Sequence, residues 1–126
     1  MGLKDYFENI KGTGVLATSD RDGNVDIAIY ARPYVIEENK IAFSMLERLS
    51  YANIQSNPKA AYLFIEKGEG YNGKRLYLTK LNEETDPEKI KELKKQHSKI
   101  FTEDMIHKHL VYFRIDKFRP LVGDDD

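Results

Sequence analysis

Asp22-Gly23 and Glu37-Glu38-Asn39 each join two short runs of alternating side chains, and that arrangement commits the chain to antiparallel β-structure. Glycine at position 23 accepts the positive φ that a tight hairpin demands. Thr13 to Thr18 reads as the strand entering the first turn. After it, Val25, Ile27 and Ile29 alternate with Asp26, Ala28 and Tyr30, so each set takes its own face of a strand. Pro33 has no N–H to give a ladder, which predicts a bend or an edge there. The second turn joins Tyr34 to Ile36 with Lys40 to Met45. Ala60 to Glu66, Lys74 to Leu81 and Leu110 to Ile115 supply further strands.

Helical periodicity is confined to short stretches. Leu3, Tyr6, Phe7 and Ile10 recur at i, i+3, i+4 and i+7, with Gly12 expected as a left-handed C-cap. Ser50 to Gln55 forms a second helix, stopped at Asn57 because Pro58 disfavours helical backbone before it. Asp86-Pro87 reads as an N-cap and first helical residue. Ile90, Leu93, His97 and Ile100 or Phe101 then line one helical face, and Thr102 to His109 has room for another short turn. Regular strand–helix alternation is missing, which argues against a doubly wound sheet. The expected fold is mainly β with short helices: an antiparallel barrel or strongly curved sheet with helices packed at its ends. At 126 residues, one domain over 1–122 is expected, followed by an acidic tail at 123–126 that solvent surrounds.

Composition narrows the function. With no cysteine, disulfides, iron–sulfur clusters, cysteine-bound zinc and thiol catalysis are excluded. A net charge of −1 gives no basic excess, so no nucleic-acid partner is expected. No run approaches the roughly 18 apolar residues of a membrane span. The opening residues carry Asp5 and Glu8 and do not resemble a signal peptide, so the expected location is cytoplasmic.

Several motifs dissolve on inspection. Gly68-Glu69-Gly70-Tyr71-Asn72-Gly73 spells G-x-G-x-x-G, but a strand, not a helix, is expected after it, so it reads as a hairpin loop. His107 and His109 would share a strand face, yet no acidic residue at ligand spacing completes a metal set. Glu37-Glu38 and Glu83-Glu84 fall in expected turns, and the lysine-rich face of residues 89–99 reads as solvated. The stretch from Ile41 to Pro58 carries more. A strand delivers Phe43, Ser44 and Met45 to a short connection, and Arg48 and Ser50 then stand at a helix start. Unpaired N–H groups there attract anions, and an arginine fork and a serine hydroxyl suit phosphate oxygens. Two readings stay open on chemistry alone: a phosphate clamp, or a capping Ser50 beside a solvated Arg48.

In order and spacing, these pieces resemble the pyridoxamine 5'-phosphate oxidase-like flavin-binding split barrels. The likeness spans most of Leu3 to Val122. It rests on the opening helix before Gly12-Thr13-Gly14-Val15-Leu16-Ala17-Thr18, the turn Asp22-Gly23-Asn24, and the strand through Ile29-Tyr30-Ala31-Arg32. It rests also on Arg48-x-Ser50-x-x-Asn53-Ile54-x-x-Asn57-Pro58 before Ala60-Ala61-Tyr62-Leu63-Phe64. The resemblance implies a split barrel that binds FMN and forms a homodimer, with the flavin sites at the interface. It implies that Ile29, Tyr30, Ala31 and Arg32 flank the flavin ring. Phe43, Ser44, Met45 and Leu46 would contact it through backbone, and Arg48 and Ser50 would hold the phosphate. Asn53 is expected to be structural. Leu49 stands in the neighbourhood of the family's customary lysine. The family oxidases' arginine and histidine set has no match near the C-terminus. The implied role is therefore an FMN-binding oxidoreductase or flavin reductase with a small-molecule electron donor or acceptor, and no residue demands an acid–base or covalent part. The alternatives are a flavin carrier without turnover and a barrel that binds oligonucleotides through surface tyrosines.

Overall fold

In the computed structural model, which describes residues 2–97 and 109–123 (His97 by its backbone alone), the two expected hairpins form and become the two ends of one sheet. The first is β1 (Gly12–Ser19) with β2 (Val25–Ile29), and the second is β3 (Tyr34–Glu37) with β4 (Lys40–Met45). Between them lie β5 (Lys59–Glu66), β6 (Gly73–Glu84) and β7 (His109–Pro120), in the order β2-β1-β5-β6-β7-β4-β3. Every adjacent pair is antiparallel. Asp20 Oδ1 accepts from the Asp22 and Asn24 backbone N–H groups, and Gly23 supplies φ +85 in the first turn.

The sheet curls until its two halves touch. Phe43 of β4 and Tyr62 of β5 are separated by two strands in the sheet order, yet their rings meet at 4.9 Å. One core joins Leu16, Phe43, Met45, Tyr62, Phe64, Leu76, Leu78, Val111 and Phe113, all buried. Helix α1 (Leu3–Asn9) closes the open side, with Phe7 5.3 Å from Phe64 and 6.3 Å from Tyr62. Charged side chains hold both ends of this helix. The Leu3 N–H donates to Glu38 Oε1 at 2.8 Å, and Arg32 Nη1 donates to the carbonyls of Phe7 and Ile10, each at 2.9 Å.

Gly12 does not cap α1. It begins β1 without positive φ, and Ile10 is the C-cap in extended conformation. What requires glycine is proximity, because a Cβ at position 12 would lie 2.2 Å from the Ile65 carbonyl oxygen. The long strands β6 and β7 also outrun their expected bounds. They pair from Lys74↔Pro120 to Glu84↔Leu110, with register shifts at Tyr77/Leu78 and Lys80/Asn82. Each bulge breaks the period-two pattern, so only part of each strand reads as alternating. Glu83 and Glu84 consequently sit in a strand and not in a turn.

Helix α2 (Leu49–Ser56) and helix α3 (Pro87–His97) pack on the curled sheet. Asn57 is extended as expected (φ −143, ψ 112). Asp86 Oδ1 accepts from the Glu88 N–H at 3.0 Å, so the predicted cap forms. Lys89 and Lys95 are exposed, but Lys94 is buried, against the expectation of a wholly solvated lysine face. It follows Ile90 by four residues and so shares that helix's buried side, with Nζ 5.9 Å over the Tyr34 ring. Ile100, Phe101, the turn expected after Thr102 and the 124–126 tail lie outside the described residues.

Two contacts fasten α2. Asn53 Nδ2 donates to Thr18 Oγ1 at 3.0 Å, the structural role expected of it, and the Tyr51 hydroxyl donates to Glu83 Oε2 at 2.8 Å. Burial raises the Glu83 carboxyl's pKa, but the Tyr51 hydrogen bond and the nearby Lys80 ammonium outweigh it and hold the group below the usual range. Stability from a depressed carboxyl is present at neutral pH and fades as pH falls through the folded-state value.

Gly14 faces the same constraint as Gly12, more severely: a Cβ would lie 1.8 Å from the Tyr62 hydroxyl oxygen and 2.5 Å from the Tyr30 carbonyl. Gly14→Ala should lower the unfolding free energy by about 1–3 kcal/mol in urea denaturation. Glu83→Gln should cost about 1 kcal/mol near neutral pH. The gap to wild type should narrow in denaturation curves run toward about pH 3, below the ordinary carboxylate range.

Candidate functional site

Tyr62 shapes the chain beyond β2. Its hydroxyl lies 3.2 Å from the carbonyls of both Tyr30 and Ala31, fixing the linker that leads to Pro33 and β3. On β2, Asp26 and Ala28 turn inward, and Val25, Ile27 and Ile29 are exposed at 80%, 71% and 73%, with Ile29 at the rim of the space beside the strand. The inward row, the linker and the start of α2 enclose a cavity of about 330 Å³, at the lower end of the range for small-molecule sites.

Ile29, Tyr30, Ala31, Arg32, Phe43, Ser44, Leu46, Arg48 and Ser50 all line this cavity. Met45 is not among the lining residues; its side chain is fully buried in the core. Asp26, Ala28, Tyr34 and Leu49 complete the wall. Asp26 and Ala28 share a strand face with Tyr30, which is the sequence signal that would have included them.

The polar end is formed at the start of α2. The turn before it is tight, with the Arg48 N–H donating to the Leu46 carbonyl at 2.8 Å. Arg48 is the N-cap in extended backbone (φ −127, ψ −169), and no side chain caps the helix. Ser50 is buried inside the helix and is not the cap. The Tyr30 phenol joins them. Burial raises its pKa, and a hydrogen bond with Ser50 and the Arg48 charge offset part of that rise. Arginine, serine and tyrosine therefore converge where a helix leaves N–H groups without side-chain acceptors.

Elsewhere the wall is mostly apolar. Ser44 Oγ is buried and makes no well-directed hydrogen bond, although it is near enough to the Tyr34 hydroxyl to offset part of the burial-driven rise in that group's pKa. Arg32 lines the cavity while its Nη1 is committed to α1. Among the described residues no cluster of three His, Asp or Glu side chains could hold a metal ion, and no helix is long and apolar enough to cross a membrane. His107 lies outside the described residues. The glycine-rich loop does lead into strand β6 and not into a helix.

No protein-family model matches the chain, and no curated protein matches its sequence. Solved structures do match its shape. An FMN-binding protein from Syntrophomonas wolfei subsp. wolfei aligns with a TM-score of 0.77 at 20% identity, over 95% of this chain and 84% of that one. A pyridoxamine 5'-phosphate oxidase-like protein from Lactobacillus delbrueckii aligns at 0.70 and 20% identity, over 92% and 88%. HutZ, a heme storage protein from Vibrio cholerae, aligns at 0.68 and 16% identity, over 95% of each chain. The chain thus has the fold of the pyridoxamine 5'-phosphate oxidase-like split barrels.

Proposed function

We propose that this protein binds FMN in the cavity beside β2 and serves as a flavin-dependent oxidoreductase, exchanging electrons with a small-molecule partner as a cytoplasmic homodimer. The observation that carries the reading is the convergence of Arg48, Ser50 and the Tyr30 phenol at the start of α2. A guanidinium fork, two hydroxyls and helical N–H groups suit a phosphate monoester.

The remaining wall fits the rest of the nucleotide. Phe43, Leu46 and Ile29 offer flat apolar area to a fused ring, and Ser44 Oγ is a buried hydroxyl that a ring-edge heteroatom would satisfy. Bound FMN supplies reversible electron transfer; the chain's residues bind, orient and shield. The likeness to an FMN-binding protein supports this choice of ligand. Haem, suggested by HutZ, finds no histidine among the described residues that line the cavity. A second copy is favoured by the outward row of Val25, Ile27 and Ile29 on an edge strand, next to Leu49 at 58% exposure. An exposed apolar edge of this kind invites a partner.

Fluorescence titration should show saturable FMN binding that Arg48→Ala weakens by about 10- to 100-fold, the worth of charge-assisted hydrogen bonds. Riboflavin, which lacks the phosphate, should respond far less to the same change. Equal FMN affinity in the variant would remove the phosphate assignment. Size-exclusion chromatography with light scattering should show a dimer, and Ile27→Glu should shift it toward monomer. Reduction of the bound flavin by a nicotinamide cofactor would separate an enzyme from a carrier.

A further inference from the structure

The tight turn from Leu46 to Arg48 sends its two ends toward the cavity and its middle residue, Glu47, elsewhere. Glu47 Oε1 lies 2.9 Å from Nε2 of His109, the first residue of β7. His109 is buried, and its ring stacks on Tyr51 of α2 at 4.1 Å and 19°. Its other nitrogen, Nδ1, lies 2.9 Å from Glu83 Oε2 of β6. That second contact has the distance of an ion pair without the direction of a hydrogen bond, and Nδ1 is otherwise buried without a partner. The imidazole therefore touches the turn that bears Arg48, the first turn of α2 that bears Ser50, and the barrel wall.

We infer that His109 is a positioning residue for the anion clamp, holding Glu47 and hence Arg48 in place, and that it does so fully only while both ring nitrogens carry protons. A neutral imidazole has one N–H and one lone pair. With carboxylates on both sides, the neutral ring satisfies one and turns its lone pair toward the other. The doubly protonated ring attracts both. The charged and titratable groups facing it among the described residues are Glu47 from the turn, Glu83 from β6 and the Tyr51 hydroxyl from α2. Lys80 sits beyond Glu83 at 3.4 Å from its Oε1. The latch is closed while the ring is doubly protonated and loosens once it has given up a proton. Glu47 is half exposed at 54%, and water screens its pair with His109, which keeps the expected effect modest.

This inference rests on the phosphate role given to Arg48, and the test separates the two. FMN affinity is measured for wild type and Glu47→Gln side by side at a series of pH values between about 5 and about 9, the range in which histidines in general change charge. The cofactor's own phosphate titrates equally in both, so the ratio of affinities reports the latch. Wild type should bind about three- to tenfold more tightly than Glu47→Gln at the low end of the series, with the advantage lost at the high end. A ratio that does not change with pH overturns the inference. If neither protein binds FMN, the functional reading fails, and nitrogen NMR of the ligand-free protein decides the latch. The Arg48 and Leu49 amide signals should follow the His109 ring titration in wild type and not in Glu47→Gln. Amides that ignore the ring overturn the inference even then.

Discussion

The barrel closes around one side chain. Tyr62 is fully buried on β5, and its ring packs against Phe43 from the far half of the sheet and Phe7 from α1. Its hydroxyl bonds the carbonyls of Tyr30 and Ala31. A buried phenol without partners would be costly, so the ring's apolar packing and the linker's position are coupled. Gly14 is the gap that admits the hydroxyl. The core and the cavity wall thus meet at the same atom: moving Tyr62 would both open the barrel and release the strand end bearing Tyr30.

The opening helix depends on the same region. Glu38, from the β3–β4 turn, meets the start of α1, and Arg32, from the cavity wall, meets its end. Each charge sits at the helix end where the peptide dipole favours it. The two arginines of the cavity therefore do different work. Arg32 ties the wall to α1, whereas Arg48 stands at a helix start that no side chain caps. The distinction is invisible in sequence, since each arginine follows within three residues of a strand end and neither shows locally which backbone it meets.

What the sequence reveals follows from locality. The Asp22-Gly23 hairpin, the helix stop at Asn57-Pro58 and the Asp86-Pro87 cap are set by neighbouring residues, and each forms where expected. Arg48 and Ser50 could be read as neighbours at a helix start because they stand two positions apart in the chain. Long-range features could not be identified. The bulges in β6 and β7 disrupt alternation, so Glu83 looked like a turn residue and not a strand residue that anchors Tyr51. Gly12 looked like a cap because closeness to Ile65 leaves no local trace. Lys94 looked solvated because lysine on a charged helix generally is.

Strand β2 ties the site to the expected assembly. A half-buried edge strand ordinarily turns its apolar row inward and its polar row to water. Here the apolar row Val25, Ile27 and Ile29 is exposed, while Asp26 and Ala28 turn inward and line the cavity, with Ile29 at its rim. The reversal makes sense if each face has an occupant, a polar ligand on one side and an apolar surface on the other. Burying the outward row would order the strand that forms one wall of the cavity, and ligand held against the inward row would order the surface offered to the proposed second copy. Each event would lower the entropic cost of the other, because both fix the same five-residue strand, Val25–Ile29. Ligand affinity and dimer stability should then rise together.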